Sequence, residues 1–395
     1  MDQGDKGKIS RDVIILGIIS FFTDVSSEMI FPNIALFLTL VLGAGTEIVG
    51  LVEGVADSMS SIVDIFSGYF SDKLGKRKQF VLFGYGLSSV VKLGIALSTT
   101  WWMVLITRGV ERIGKSIRTS PRDALIAAAS PQEIRGKAFG FHRAMDTAGA
   151  VIGPLIAFAL LSIYGATASG YRNTFLIAII PAFIAVAIIA AYVREPSPEA
   201  APEAKKRPSF WESLKDLPPS YYPFLKVSLL FSLAYFSFSF FILRATSMGV
   251  TPADVLLLYT FYNIMYMLAS VPVGMLSDKV GRKPVIAGSF ALYGLICAGF
   301  AFGTSWWQAA LLFALYGVFV AADDSVNKAY ISDITPAEKR STAMGAYNTA
   351  VGVVYLPASL LVGALWAFAG PVIGFMAAAL IAIISAPALL LFCRD

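Results

Sequence analysis

Apolar stretches of about twenty residues recur from Val13 to Phe392 with only short polar breaks between them. A bilayer's hydrocarbon core needs roughly 20 apolar helical residues to cross, so this periodicity predicts membrane-spanning helices rather than strands or a soluble core. The spans are expected at 12–42, 46–71, 79–98, 101–128, 138–163, 172–193, 221–246, 252–276, 284–304, 306–332, 341–367 and 371–393. The fold class is therefore an all-α integral membrane protein of about twelve helices. The longest polar stretch, 194–220, is rich in Pro, Ala and charge and falls between the sixth and seventh spans. Within it Phe210, Trp211, Leu214 and Leu217 recur at helical spacing, which predicts a short helix on the membrane surface.

The chain repeats itself. GYFSDKLGKRK at 68–78 matches GMLSDKVGRK at 274–283, with Asp278 following Asp72 by 206 positions, and PQEIRGKAFG at 131–140 returns as PAEKRSTAMG at 336–345, 205 positions on. A period this long does not suit a solenoid, but it fits two six-helix bundles around a central cavity. The domains are then 1–193, a cytoplasmic linker at 194–220, and 221–395. That geometry favours alternating access.

Composition narrows the function. The chain is 57% hydrophobic and 14% charged, with a mean hydropathy of +0.71, which leaves no room for a soluble catalytic domain. No HExxH, GxSxG or glycine-rich phosphate loop occurs, so an enzyme is not expected, nor a cofactor. The net charge of +5 lies in short loops and reports topology, not a nucleic-acid partner. With both termini cytoplasmic, the inner side gathers the basic residues and the outer loops carry only Arg172, which predicts a cell-membrane (inner-membrane) protein of that orientation. Cys297 and Cys393 stand far apart and form no CxxC pair. The polar start leads into an apolar segment too long for a signal core, so no cleaved leader is expected.

The two GxxxDKxG[KR] loops, each after an even-numbered span, resemble the hallmark of the major facilitator superfamily between helices 2 and 3, repeated between 8 and 9. The resemblance implies a cytoplasmic gate formed by Gly68, Asp72, Lys73, Gly75, Lys76 and Arg77 and by Gly274, Asp278, Lys279, Gly281 and Arg282. Gly68 and Gly274 would allow close helix contact, and Gly75 and Gly281 a tight turn. Helix 5 carries Gly140, Gly149, Gly153 and Pro154 at the spacing of the superfamily's proton-coupled drug exporters, with Ala157 where that pattern has its final glycine. Arg108 with Gly114 resembles the family's helix 4 motif, and Arg112 stands where a small residue is usual.

A charge at mid-bilayer costs roughly 2.5–3.5 kcal/mol on the insertion scale, so each one needs a reason. A helical rise of about 1.5 Å per residue puts Asp24, Asp57 and Arg112 near the midplane, and Glu28, Glu53 and Arg108 in a layer further out. Arg108, Arg112, Lys115, Arg118 and Arg122 share one broad face of helix 4, which cannot see lipid. That face is read as the wall of a wet substrate cavity, with Arg122 at its snorkelling end. Asp24, Glu28 and Asp57 are the candidates for proton coupling; Arg108, Arg112, Lys115, Asp146, Tyr259 and Asn263 are the candidates for the substrate cavity. His142 is the single histidine and reads as structural; a metal route through Asp24, Glu28, Asp57 and His142 is the minor alternative. For Lys92, midway along helix 3, snorkelling, pairing and function all stay open.

The leading reading is a monomeric secondary transporter embedded in the lipid bilayer, exporting a small-molecule organic substrate in exchange for protons. An organic-anion importer or antiporter comes next, and a divalent-metal exporter third.

Overall fold

The computed structural model describes residues 9–74, 76–131, 134–195, 216–336 and 339–393, with the backbone alone described over 65–74 and at 341. The expected surface helix around Phe210, Trp211 and Leu214 lies outside the described residues, as does Gly75. The helices run α1 (Arg11–Leu36), α2 (Thr46–Leu74), α3 (Arg77–Ala96), α4 (Trp101–Ala128), α5 (Arg135–Tyr164), α6 (Ala168–Tyr192), α7 (Tyr221–Ser232), α8 (Ser239–Ser247), α9 (Asp254–Val280), α10 (Arg282–Phe302), α11 (Trp306–Ile334), α12 (Arg340–Ala369) and α13 (Pro371–Phe392). A π-helical turn, Phe37–Val41, prolongs α1. The described residues contain no strand.

Nine of these helices are long and apolar enough to cross a membrane. The other three predicted spans fail that test for two reasons. α2 and α4, at 29 and 28 residues, are just as long but carry acids and bases along their length. The seventh span, expected as one helix over 221–246, is broken into α7 and α8. The segment 233–238 between them contains neither Pro nor Gly. Its rings are instead drawn into packing: Tyr235 onto Tyr293 and Phe319, Phe236 onto Phe241, and Phe238 onto Tyr316. The backbone groups released by the break find side chains, as membrane depth demands. Tyr293 Oη donates to the Ala234 carbonyl at 3.0 Å, and the Ser237 N–H donates to Ser359 Oγ at 3.1 Å.

By contacts the chain forms two compact units, Met1–Ile34 with Ile62–Glu203, and Ala35–Ser61 with Ala204–Asp395. The first half of α2 therefore clusters with second-half helices. Its Ser58 hydroxyl donates to the Gly352 carbonyl of α12 at 2.8 Å and accepts from the Leu356 N–H at 3.1 Å. In the first unit α3 packs on α4 and α6; in the second, α10 packs on α13 and α11, and α9 on α11.

Both units expose large apolar side chains, and the first also buries charge. Phe368, Trp307 and Ile163 are 91%, 78% and 74% exposed, while Lys92 is among the largest fully buried side chains. Such a distribution suits lipid as the solvent. Small residues allow the helices to close over those polar groups. A Cβ on Gly84 of α3 would stand 2.6 Å from the Gly114 carbonyl and 2.9 Å from Arg118 Cβ of α4. A Cβ on Gly86, two residues on, would meet nothing within 4 Å.

Gly84→Ala is therefore expected to destabilise the detergent-solubilised protein by about 1–3 kcal/mol through overpacking. Gly86→Ala should leave the melting temperature unchanged or raise it slightly, since alanine favours helix. Equal melting temperatures for the two variants would remove the α3–α4 seam as a tight constraint.

Candidate functional site

In the first unit, α4 is the element around which the polar side chains gather. Arg108 is 3% exposed and donates through Nη1 to Glu111 Oε2 at 2.6 Å, an i,i+3 ion pair inside the protein. Its guanidinium also lies 5.1 Å from the centre of the Phe31 ring on α1, and Arg112 shares that ring at 5.6 Å. Arg118 turns towards α3, donating to Ser88 Oγ at 2.9 Å and lying 4.0 Å above the Tyr85 ring. Arg122 is half-buried, held by Asp123 at 2.9 Å and reaching Ser20 Oγ of α1 at 3.4 Å. The basic ladder thus splits between α1 and α3, and its last member belongs to a network instead of snorkelling.

α5 supplies the opposing acid. Gly149 and Gly153 sit directly on α1, where added Cβ atoms would come 2.8 Å from Asp24 Cβ and 2.9 Å from Glu28 Cβ. This approach brings Asp24 within electrostatic reach of Asp146, with Lys115, Arg118 and Arg122 acting on the same carboxylate. His142 links the pair to α1: its Nε2 lies 2.7 Å from Ser20 Oγ, and its Nδ1 lies 3.5 Å from Asp146 Oδ2. Gly140, by contrast, has open space beside it.

Three residues that the sequence reading did not place complete this region. Glu111 is the buried partner of Arg108; the signal was its i,i+3 spacing in the run RGVER. Lys92 is 2% exposed and donates to Ser26 Oγ at 2.8 Å and Ser27 Oγ at 3.0 Å, with Glu111 and Asp24 supplying opposite charge. The pair of serines after Asp24 was its signal. Asp64 of α2 hydrogen-bonds Ser116 of α4 and feels Lys115 and Arg112.

Asp57 falls in the other unit, although depth arithmetic puts it level with Asp24. There it acts electrostatically on Tyr235 and Tyr355. Tyr259 and Asn263, expected on a cavity wall, are only 5% and 7% exposed. Tyr259 packs edge-on against Phe238 at 5.2 Å, and the Asn263 amide donates back to the Tyr259 carbonyl at 3.1 Å, so both serve the aromatic core of the second unit. Tyr235, Tyr347, Tyr355 and Asp323 are among the partly exposed polar groups there. Among the described residues, no group of three or more His, Cys, Asp or Glu could hold a metal ion.

The two loop motifs differ in what can be described. In the first copy the side chains of Asp72 and Lys73, and Gly68, fall outside the described residues. Lys76 caps the start of α3, where the N–H groups of Arg77 and Lys78 both donate to the Glu195 carboxylate, at 2.8 and 2.9 Å. In the second copy Arg282 pairs with Asp278 through Nη1 and with Asp333 at 3.1 Å through Nε, tying the end of α9 to that of α11. Gly281 has φ +95°, the left-handed turn expected of it, and Lys279 is exposed in the last turn of α9. Gly274 has open space where a close helix contact was expected.

The chain matches the Major Facilitator Superfamily over residues 16–244 and again over 228–395. It is 39% identical to an uncharacterized MFS-type transporter of Methanocaldococcus jannaschii over 386 residues, covering 96% of this chain and 94% of that one. It is 27% identical to the multidrug resistance protein MdtG of Proteus mirabilis over 343 residues, or 80% of each. Among solved structures, the nucleoside transporter NupG superposes with a TM-score of 0.81 at 14% identity, covering 98% of this chain and all of that one. A bacterial homolog of the lysosomal transporter Spinster superposes with a TM-score of 0.78 at 16% identity, covering 99% and 98%. At such identities these structures speak for the fold.

Removing the buried partner of Arg108 should be costly. Glu111→Gln is expected to lower stability by about 3 kcal/mol or more, because a buried guanidinium loses its counter-charge. The double variant Arg108→Leu/Glu111→Leu should recover much of that loss. Thermal unfolding of the purified variants tests this, and a Glu111→Gln protein as stable as the parent would dismiss the pair as an organiser of α4.

Proposed function

Given that the chain belongs to the Major Facilitator Superfamily, and so is a multi-pass membrane transporter of some solute, we propose that it exports a small organic solute in exchange for protons by alternating access. The observation that carries this reading is the meeting of Asp24 and Asp146 across the α1–α5 glycine seam, facing three cations of α4. Like charges so placed disfavour ionisation of both acids together, while nearby arginines favour the charged form. A proton therefore resides on the pair when the cations withdraw, and leaves when they return. Helix movement that changes the distance between α4 and the two acids is enough to switch occupancy.

Two further features support export. Gly149 and Gly153 form the part of the exporter-like pattern that packs on α1, next to those acids, with Pro154 buried beside them in the chain. One relative of the chain bears the name multidrug resistance protein. Arginine and lysine accumulate on the side assigned to the cytoplasm, which orients both termini inward. Arg282, gripping Asp278 and Asp333, acts in this scheme as the cytoplasmic clasp that opens and closes once per cycle.

The test uses liposomes that enclose a pH-sensitive dye and are challenged with a panel of small organic solutes. Solutes that the parent protein carries should drive proton movement in the opposite direction. Asp24→Asn and Asp146→Asn should abolish that proton movement and uphill transport, yet retain solute counterflow at equilibrium. Uphill transport with the parental pH dependence in both variants would show that these acids are structural.

A further inference from the structure

We propose that the second unit carries a binding site for an organic ammonium ion, built from Asp323 and Asn327 of α11 with the tyrosines Tyr235, Tyr347 and Tyr355, and with Asp57 at its rim. The site has more acceptors than donors. The Asn327 amide nitrogen donates to Asp323 Oδ1 at 2.8 Å and to Tyr347 Oη at 3.1 Å. Asn327 itself is 2% exposed, and its Oδ1 has no hydrogen-bond partner among the described residues. A buried amide oxygen in that state is destabilising unless a donor arrives. Turning the amide over gives no relief, since its oxygen would then face the Asp323 carboxylate. The neighbouring cation on α11, Lys328, is exposed and paired with Asp324, whose other oxygen accepts from Tyr266 Oη at 3.0 Å.

The surrounding rings narrow the ligand to an organic cation. Asp323 and Asp57 both act on Tyr235 and on Tyr355, whose rings lie 5.4 Å apart at 61°. Tyr347 also feels Asp323. These three tyrosines and both acids are partly exposed, while the floor behind Tyr235 is the buried core at Tyr293 and Phe319. A wall of aromatic rings carrying negative charge favours a cation with apolar substituents, through ring quadrupoles and carboxylate together. An ammonium N–H also supplies the donor that Asn327 Oδ1 lacks. An anion meets Asp57, Asp323 and Asp324, and a hard metal ion would need more oxygen ligands than these acids bring together.

This inference rests on reading the chain as a solute transporter and names the class of its substrate, but its test needs no gradient. Three probes that share one arene, 2-phenylethylammonium, 2-phenylethanol and 3-phenylpropionate, are titrated calorimetrically into the full chain in detergent. The ammonium should bind, and the alcohol and the carboxylate should bind at least about tenfold more weakly. Asp323→Asn should weaken ammonium binding about tenfold, and Tyr235→Leu several-fold, while Tyr235→Phe stays near the parent because its ring remains. Melting temperatures of the variants check that each is folded. The proposal fails if the ammonium does not bind, if the three probes bind alike, or if folded Asp323→Asn keeps parental affinity. It also fails if sodium displaces the ammonium where equimolar lithium does not, which would mark an inorganic cation site. Intact binding with no proton movement would fault the exchange mechanism alone, and proton-coupled transport without ammonium binding would fault this site alone.

Discussion

The cost of a charge away from water governs this structure. Helix α4 carries Arg108, Glu111, Arg112, Lys115, Arg118, Arg122 and Asp123 within a segment that must cross hydrocarbon. Each charge would cost a few kcal/mol against lipid, so the surrounding helices are arranged to receive them. α1 contributes Ser20 and Asp24, α3 contributes Tyr85 and Ser88, and α5 contributes Asp146. Hydroxyls and carboxylates reach only a few ångströms, so these helices must pack closely. The glycines at 84, 114, 149 and 153 stand at just those approaches, and the tight seams follow from the charges they enclose.

The same constraint explains what the sequence made legible. Hydropathy announced the membrane-spanning helices, because that signal depends on length and composition alone. Depth arithmetic gave each charge an expected height along its helix. It could not give azimuth. Asp24 and Asp57, expected at one depth, belong to different units, and Arg118 departs from the Arg108 direction because α3 offers it a ring and a hydroxyl. Tyr259 and Asn263 read as cavity groups because they are polar, yet a tyrosine edge and an asparagine bonded back to its own helix cost little to bury. The break in the seventh span had no Pro or Gly to announce it, since its cause is aromatic packing from α10, α11 and α13.

In the second copy of the loop motif, Arg282 reaches Asp278 inside the motif and Asp333 at the end of α11. In the first copy, the N-terminus of α3 takes its carboxylate from Glu195, beyond α6 and far outside the motif. Both contacts place negative charge where a helix start or an arginine requires it. The interiors diverge further. The first unit encloses fixed charges, whereas the second is built on a cluster of aromatic rings around Phe231, Tyr293 and Tyr316.

That divergence bears on how a proton and a solute can be linked. If both competed for one carboxylate, exchange would need little conformational change, because binding of one would expel the other. Asp24 and Asp146 belong to the first unit, and Asp323 with Asn327 to the second. The proposed scheme thus assigns proton and solute to groups of different units. The chain itself offers the alternative: α1 runs from Asp24 in the first unit to Ala35 and beyond in the second, and α2 returns from Asp57 in the second to Asp64 in the first. Asp24 stands on the same helix, α1, whose last residues cluster by contacts with the second unit. Ser58, clamped between the Gly352 carbonyl and the Leu356 N–H, fixes α2 to α12 one turn from Tyr355. In the proposed scheme the α1–α2 hairpin is the segment that belongs by contacts to both units, and so the one that carries both Asp24 and Asp57.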